Sequence, residues 1–160
     1  MAEITLDVLV DETLLKEKLE ENQKEIEEVR AQCSKVIVQQ AQFLERKIEE
    51  VTPIMRFILE KGYYMSHPTL KFQSTRGAVL DYDSDNNKLY VYDVESAWIK
   101  EINMFKKDEA KTVLTENFVA QRNLDNAIAG VNYLLVIQDE IKKELLQEKA
   151  EREQWLKENE

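Results

Sequence analysis

The chain contains 160 residues, of which 43% are hydrophobic and 34% charged, and its formal net charge is -10 at pH 7. This length and apolar content are typical of a single domain, predicted here over residues 1–160, and three Gly and two Pro leave little material for a flexible linker. A strongly negative field disfavours the phosphate backbone of nucleic acids and the surface of anionic lipids.

A short strand is predicted at the N-terminus, in residues 1–10. The apolar residues from Ile4 to Val10 include every second position, which suits a strand with one buried face. Asp11 follows as a candidate helix N-cap. In an antiparallel dimer this strand is expected to join the sheet of the partner.

A long helical arm is predicted over residues 11–62. Its apolar seam advances in alternating steps of four and three residues, as in a coiled coil. The seam consists of Leu15, Leu19, Asn22, Ile26, Val29, Cys33, Val36, Gln40 and Phe43. Pro53 is expected to kink or divide the arm, because proline removes a backbone donor and crowds the preceding turn. Gly62 is typical of a helix C-terminus.

A small β element, the head, is predicted between the arms in residues 63–107. Turn residues separate three segments with strand periodicity, which indicates a β-meander. The segments are Thr69–Ser74, Ala78–Asp83 and Lys88–Asp93. A short helix is expected to follow, because Trp98, Ile102 and Phe105 recur at helical spacing.

A second helical arm is predicted over residues 108–160, with Asp108 as its candidate N-cap. Its seam consists of Ala120, Leu124, Ala127, Val131, Leu134, Gln138, Ile141, Leu145 and Trp155. The predicted fold class is therefore mainly α with a small β element (α+β). Two long antiparallel coiled-coil-like helices are expected to flank the three-stranded β-meander.

Two nearly uncharged stretches, Ala31–Leu44 and Asn117–Gln138, lie in the middle of the arms. If the arms pair, these stretches coincide, with Cys33 near Gln138. A lone helix pair would still expose apolar area at about 25 cal/mol per Å², and four helices from two chains would bury it. We therefore predict a homodimer, a helical bundle. Its predicted interface comprises Val36, Ile37, Val38, Gln40, Leu44, Ile128, Val131 and Leu135.

Catalytic residues are not indicated by the sequence. The sequence identifies no nucleophile that the single histidine, His67, could activate as a base. Glycine-rich phosphate loops and zinc-binding motifs are absent from the sequence. Cys33, the single cysteine, is expected to be a core-facing thiol. The run from Asp81 to Asn87 alternates like EF-hand ligands, but Asn86 and Tyr92 stand where that loop needs Gly and Glu. We interpret the run as a hairpin turn and expect no enzyme, cofactor or metal site.

Aromatic residues concentrate in the head and indicate a protein-binding surface. Tyr and Trp are favoured binding hot spots, and both faces of the third predicted strand carry apolar or aromatic side chains. The candidate partner-binding residues are Tyr82, Tyr90, Tyr92, Trp98 and Arg76. In the alternative interpretation, the short helix and the dimer partner cover both faces of the sheet. The leading hypothesis is a non-enzymatic adaptor or small inhibitor, a dimeric scaffold that presents this head to another protein.

Nucleic-acid binding is the main alternative, because basic and aromatic residues of the head together can stack on and neutralise a strand. In outline, a long helix followed by a small β element and further helix resembles the Gam-type phage nuclease inhibitors. That resemblance implies a dimer that caps DNA ends, although no diagnostic motif accompanies it. Acidic arms that imitate nucleic acid are a third possibility.

The cellular location is predicted from the start of the chain and from its apolar stretches. Met1, Ala2 and Glu3 contain no basic cluster ahead of an apolar run, and no stretch approaches the roughly 18 apolar residues of a membrane span. We expect a cytoplasmic protein without a membrane partner.

Overall fold

A computed structural model describes residues 3–160. The protein is 59% helical with a small antiparallel sheet, so the α+β class predicted from the sequence is confirmed. The chain has two compact units, Met1–Gln40 and Ala41–Glu160. The elements in chain order are α1 (Leu6–Leu9), α2 (Glu12–Glu60), β1 (Met65–Ser66), β2 (Gln73–Ser74), β3 (Val79–Asp83), β4 (Lys88–Asp93), β5 (Trp98–Asn103), β6 (Ala110–Val113), α3 (Thr115–Gln121), α4 (Leu124–Tyr133) and α5 (Ile137–Asn159).

The N-terminal segment is helical where a strand was predicted. Helix α1 forms one turn with an acidic residue, Asp7, near its positive end. The prediction of a strand was wrong because one turn satisfies backbone groups locally, whereas a strand needs a neighbour along its length. Met1 and Ala2 of the predicted strand lie outside the described residues. Asp11 then caps α2 as predicted, since its Oδ1 accepts from the N–H of Leu14 at 3.1 Å.

Helix α2 continues through Pro53, so of the two outcomes predicted at this proline the division was wrong and the kink stays a prediction. The ring lies on the exposed side of the helix, while Val51 and Met55 on either side of it are buried. Packing of these neighbours offsets the lost backbone hydrogen bond. The helix ends at Glu60, and Gly62 adopts a positive φ of 76°, as predicted for a C-terminal stop.

The main sheet has four antiparallel strands in the order β3-β4-β5-β6, rather than the three predicted. The predicted strands around 78–83 and 88–93 are confirmed as β3 and β4. The short helix predicted after them was wrong, because its residues form β5, which pairs with β4 from Lys88↔Asn103 to Asp93↔Trp98. Phe105, which completed the helical spacing, lies beyond the strand and is 79% exposed. The predicted strand Thr69–Ser74 is reduced to β2, which pairs only with β1.

One face of the sheet carries its own apolar cluster. Its buried members come from three strands and are Val79, Leu89, Val91 and Ile102. Five partly buried side chains pack against this cluster. They are Leu70, Phe72, Tyr82, Met104 and Ala110. The buried positions along α2 follow the same alternating steps of three and four residues, but they are displaced by one residue from the predicted seam, whose Gln40 and Phe43 are exposed. They are Ala41, Leu44, Ile48, Val51, Met55 and Ile58.

The second predicted arm is divided into a strand and three helices. Residues around the proposed cap Asp108 are not helical, and helix begins only at Thr115. Arg122 then leaves the helical region with φ -117° and ψ 176°, and Asn123 caps α4 by accepting from the N–H of Asn126 at 3.1 Å. Val136 makes a second break with φ -118°. The prediction of one continuous arm was wrong because tertiary hydrogen bonds, described below, stabilise the non-helical backbone at the first break.

Helix α4 packs on β3 at Gly130. A Cβ built on this glycine would lie 1.9 Å from the carbonyl oxygen of Val79, so only glycine permits this approach. The element that approaches this glycine is thus a strand, β3. Across residues 3–160, no helix combines the length and the apolarity needed to cross a bilayer.

Candidate interaction surfaces

Asp81 is the most buried charged group in the described chain, and its hydrogen bonds link β3 to the junction between α3 and α4. Its side chain is 2% exposed, and its Oδ2 accepts from Arg122 Nε at 2.9 Å and from the N–H of Asn123 at 3.2 Å. Its Oδ1 accepts from Asn126 Nδ2 at 3.0 Å. Charge and hydrogen bonds are thus both satisfied by the protein, as a buried carboxylate requires. This network is structural, and it occupies both oxygens of Asp81, the first residue of the run compared with an EF-hand.

His67 is also held in a structural role. Its side chain is 6% exposed, and Nδ1 accepts from the backbone N–H groups of Thr69 and Leu70, each at 3.1 Å. Nε2 therefore carries the ring proton and donates it to the carbonyl of Asn126 at 2.7 Å. The imidazole joins the loop before β2 to α4, and both ring nitrogens are engaged by protein groups.

Tyr90, a predicted partner-binding residue, is buried at the face of the sheet opposite the apolar cluster. Its ring packs 5.6 Å from that of Phe118, and its hydroxyl donates to Glu101 at 3.0 Å. Burial, followed by the hydrogen bond and the charge of Glu101, raises the pKa of Tyr90 to about 12. Burial also acts to raise the pKa of Glu101, but hydrogen bonds from Lys88 and Tyr90 outweigh it and leave that pKa below its usual value. Tyr90 is therefore a packed, neutral phenol and is not free for a partner.

The other predicted partner-binding residues lie in different surroundings. Tyr82 is half-buried, stacks 4.3 Å from Phe72 and donates its hydroxyl to Asn87. Tyr92 and Arg76 are half-buried too, whereas Trp98 is 46% exposed. The structure therefore does not bring the three tyrosines together on one free surface.

A groove in the C-terminal unit, the head groove, lies between α2 and the β4–β5 hairpin and has a volume of about 580 Å³. Its lining includes Glu45, Glu49 and Pro53 from α2 and Tyr92, Trp98 and Ile99 from the strands. In the described part of the chain, every charged residue that lines it is acidic. Ala97, at the end of the hairpin turn beside Trp98, adopts a φ of 60°, which is costly for a residue other than glycine. The groove suits a basic segment with an apolar side chain.

A second groove, between the end of α2 and α5, has a volume of about 390 Å³. Phe57, Tyr63, Ile141 and Leu145 give it apolar walls, and Lys142 with Lys149 gives it a basic rim. Sequence reasoning missed this surface because it placed Ile141 and Leu145 in the seam of the second arm, whereas Phe57 and Tyr63 belong to neither predicted seam.

The predicted dimer interface divides into buried and exposed members. Leu44 and Val131 are fully buried within the single chain, and Ile37, Val38 and Ile128 are half-buried. Only Val36, Gln40 and Leu135 are exposed. Leu44 and Val131 thus belong to the core of the C-terminal unit, and the interface stays a prediction for the others.

Most of the heptad seam predicted on α2 is exposed in the N-terminal unit. Val29 is 62% exposed and Val36 is 51% exposed, and Cys33, predicted to be a core-facing thiol, is exposed as well. We call this surface the open seam and define it as Leu19, Ile26, Val29, Cys33 and Val36. All five residues of the open seam are exposed within the single chain.

Two basic residues, Lys88 of the head and Arg122 of the junction between α3 and α4, are paired with carboxylates. Lys88 lies 2.9 Å from Glu101, and Arg122 contacts Asp81 at 2.9 Å and Asp83 at 3.8 Å. Among the described residues, no group of three or more His, Cys, Asp and Glu is placed to hold a metal ion.

Neither the protein-family models nor the curated proteins nor the solved structures contain a match to the chain. Function therefore has to be argued from the surfaces described above.

Proposed function

We propose that the protein is a non-enzymatic interaction protein, a homodimer joined through the open seam that presents its head to another protein. The observation that carries this proposal is the exposure of heptad residues that the sequence spaces for a coiled coil. Val29 is 62% exposed and Val36 is 51% exposed. They lie on the same side of α2, and each is three or four residues from the next member of the seam. An apolar stripe of this kind is typical of a surface that meets another helix.

The energetics favour pairing through this stripe. Burial of one large aliphatic side chain stabilises an assembly by roughly 1.5–3 kcal/mol. Several such side chains from each copy would offset the cost of association, which is about 4–15 kcal/mol. A knobs-into-holes contact along α2 would also hide Cys33 from solvent.

The head groove supports the second half of the proposal. Glu45 and Glu49 supply negative charge, and Trp98 at the rim is the residue type most enriched in binding hot spots. A segment of another protein with Lys or Arg beside an apolar residue would match both features. Lys88 of the head is engaged by Glu101 and Arg122 of the α3–α4 junction by Asp81, so these two basic side chains give no support to the nucleic-acid alternative.

Dimerisation is tested by light scattering across a dilution series of the purified chain. We expect the wild type to be dimeric at micromolar concentration and Val36→Glu to be monomeric with unchanged helix content. Ala31→Glu is the matched control, since Ala31 is exposed on α2 but lies outside the seam. A wild-type monomer at all concentrations, or equal effects of the two substitutions, would contradict the proposal.

Head binding is tested with an immobilised library of short peptides. We expect the wild type to retain peptides rich in Lys and Arg, with retention falling as salt rises. The double substitution Glu45→Gln/Glu49→Gln should abolish that preference, whereas Glu153→Gln on the exposed part of α5 should not. Retention of peptides regardless of charge would refute this role for the groove, and salt-sensitive gel shifts of duplex DNA would favour the nucleic-acid alternative.

A further inference from the structure

We infer that the two copies pair through α2 in a parallel, in-register arrangement, an inference that depends on the dimer proposed above. In heptad notation, Ile26 and Cys33 occupy a positions, and Val29 and Val36 occupy d positions. A parallel pair then sets each of these side chains against its own counterpart, Cys33 against the partner's Cys33. The two chains also leave the pair at the same end, so their C-terminal units begin from neighbouring points.

Charge beside the seam favours the parallel orientation. In a parallel coiled coil, a g residue faces the e residue five positions later in the partner. Glu25 is such a g residue and Arg30 the matching e residue, so Glu25 faces the partner's Arg30. Two-fold symmetry repeats this attractive pair, and the next g residue, Gln32, is neutral.

The antiparallel orientation brings like charges together. One antiparallel register sets Ile26 against the partner's Val36 and Val29 against the partner's Cys33. In that register e residues face e residues, so Arg30 meets the partner's Arg30. On the other side of the seam, Lys18 meets the partner's Arg46. These contacts are repulsive and have no attractive counterpart, so they select against this antiparallel register.

Cys33 makes the orientation measurable, because disulfide geometry is restrictive. The axes of two packed helices lie about 10 Å apart, and each Cα atom lies about 2.3 Å from its own axis. Facing Cα atoms are therefore roughly 5–6 Å apart. This spacing falls within the range that a disulfide bridges. In the antiparallel register the two cysteines are offset by four residues, about 6 Å along the axis, so their Cα atoms lie roughly 8 Å apart. That separation is beyond the usual limit of about 7 Å.

The test is oxidative cross-linking of the full chain followed by gel electrophoresis without reductant. The wild type and a single-cysteine variant, Cys33→Ser/Val36→Cys, should each give a covalent dimer within minutes of adding copper phenanthroline. Cys33→Ser should give none, and Cys33→Ser/Ala31→Cys should cross-link at least about tenfold more slowly, because residue 31 lies outside the seam. Each variant is first confirmed as a dimer by light scattering, so that failure of dimerisation is separated from failure of orientation.

The outcomes distinguish the inference from the proposed function. Dimers that cross-link through both Cys33 and the cysteine at position 36 support the parallel pair. Dimers that fail to cross-link at position 36 overturn the orientation and leave the dimer in place, since an antiparallel pair separates these residues by about ten positions, or 15 Å. A monomeric wild type overturns both.

Charge exchange gives a second measurement that needs no cysteine. Glu25→Arg should weaken the dimer by about fivefold in Kd, and Glu25→Arg/Arg30→Glu should restore it, because exchange recreates the pair with reversed sign. An additive double variant, weaker than either single one, would contradict the parallel arrangement.

Discussion

Gly130→Ala is expected to destabilise the C-terminal unit even though alanine is the better helix former. The new methyl carbon would lie 1.9 Å from the carbonyl oxygen of Val79 and 2.9 Å from Cδ2 of His67. Ordinary carbon–oxygen contacts are about 3.3 Å or longer, so α4 would have to move away from β3 by roughly 1.4 Å. The carbonyl oxygen belongs to the backbone of a paired strand and cannot rotate away.

The magnitude follows from two opposing effects. Alanine in a helix interior is favoured over glycine by about 1 kcal/mol. Overpacking costs about 3 kcal/mol or more when backbone must shift, and the shift also strains the bonds of Asn126 to Asp81 and His67. The expected net loss is about 2 kcal/mol or more in the free energy of unfolding. For a unit of this size, the loss corresponds to a decrease in Tm of about 8 °C.

The assay is urea unfolding followed by Trp98 fluorescence in a Trp155→Phe background, which removes the other tryptophan. Gly62→Ala serves as the matched control, because a Cβ there meets nothing within 4 Å and only the φ of 76° opposes it. The control is expected to lose no more than about 1–2 kcal/mol. A Gly130→Ala variant as stable as the wild type would refute the close packing of α4 on β3.

Three further predictions concern buried groups of the C-terminal unit. Asp81→Asn should lower the free energy of unfolding by about 3 kcal/mol, as expected for a buried ion pair that loses one partner, and calorimetry measures the loss. The Tyr90 phenol should resist ionisation until the pH nears its pKa of about 12, which tyrosinate absorbance records against Tyr90→Phe. Because this folded-state pKa lies above the usual 10, its contribution to stability is complete below pH 10 and is lost as the pH rises toward 12. Leu44→Ala should cost about 2–5 kcal/mol, whereas Val36→Ala should leave the unfolding of the C-terminal unit unchanged.

These predictions have distinct points of failure. An Asp81→Asn protein that unfolds like the wild type would mean that the network adds nothing to the junction between α3 and α4. Complete tyrosine ionisation near pH 10 would contradict the burial of Tyr90. Equal losses for Leu44→Ala and Val36→Ala would remove the distinction between the packed and the open halves of α2.

The binding roles proposed from the sequence depend on which side chains are covered in the folded chain, and a sequence without a structure does not show this. Tyr90 and Tyr92 alternate with Leu89 and Val91, which correctly indicates a strand with two faces. Which face is covered depends on where α2 and α3 pack, and Tyr90 turned out to face Phe118. A signal was present in Arg122, one of the few charges in an otherwise neutral stretch, because such a charge needs a buried partner.

Local patterns in the sequence were sufficient to predict the long helix α2 with its cap at Asp11 and stop at Gly62, and the strands β3 and β4. In each case a local rule decided the outcome: heptad spacing, an N-cap side chain, a glycine with positive φ, or alternation between turn residues. Tertiary structure decided the rest. Residues 98–103 became a strand because β4 offered an unpaired edge, and the second arm broke at Arg122 because Asp81 takes up both the guanidinium and the N–H of Asn123. Local periodicity cannot report either event, since the hydrogen-bonding partner lies far away in the sequence.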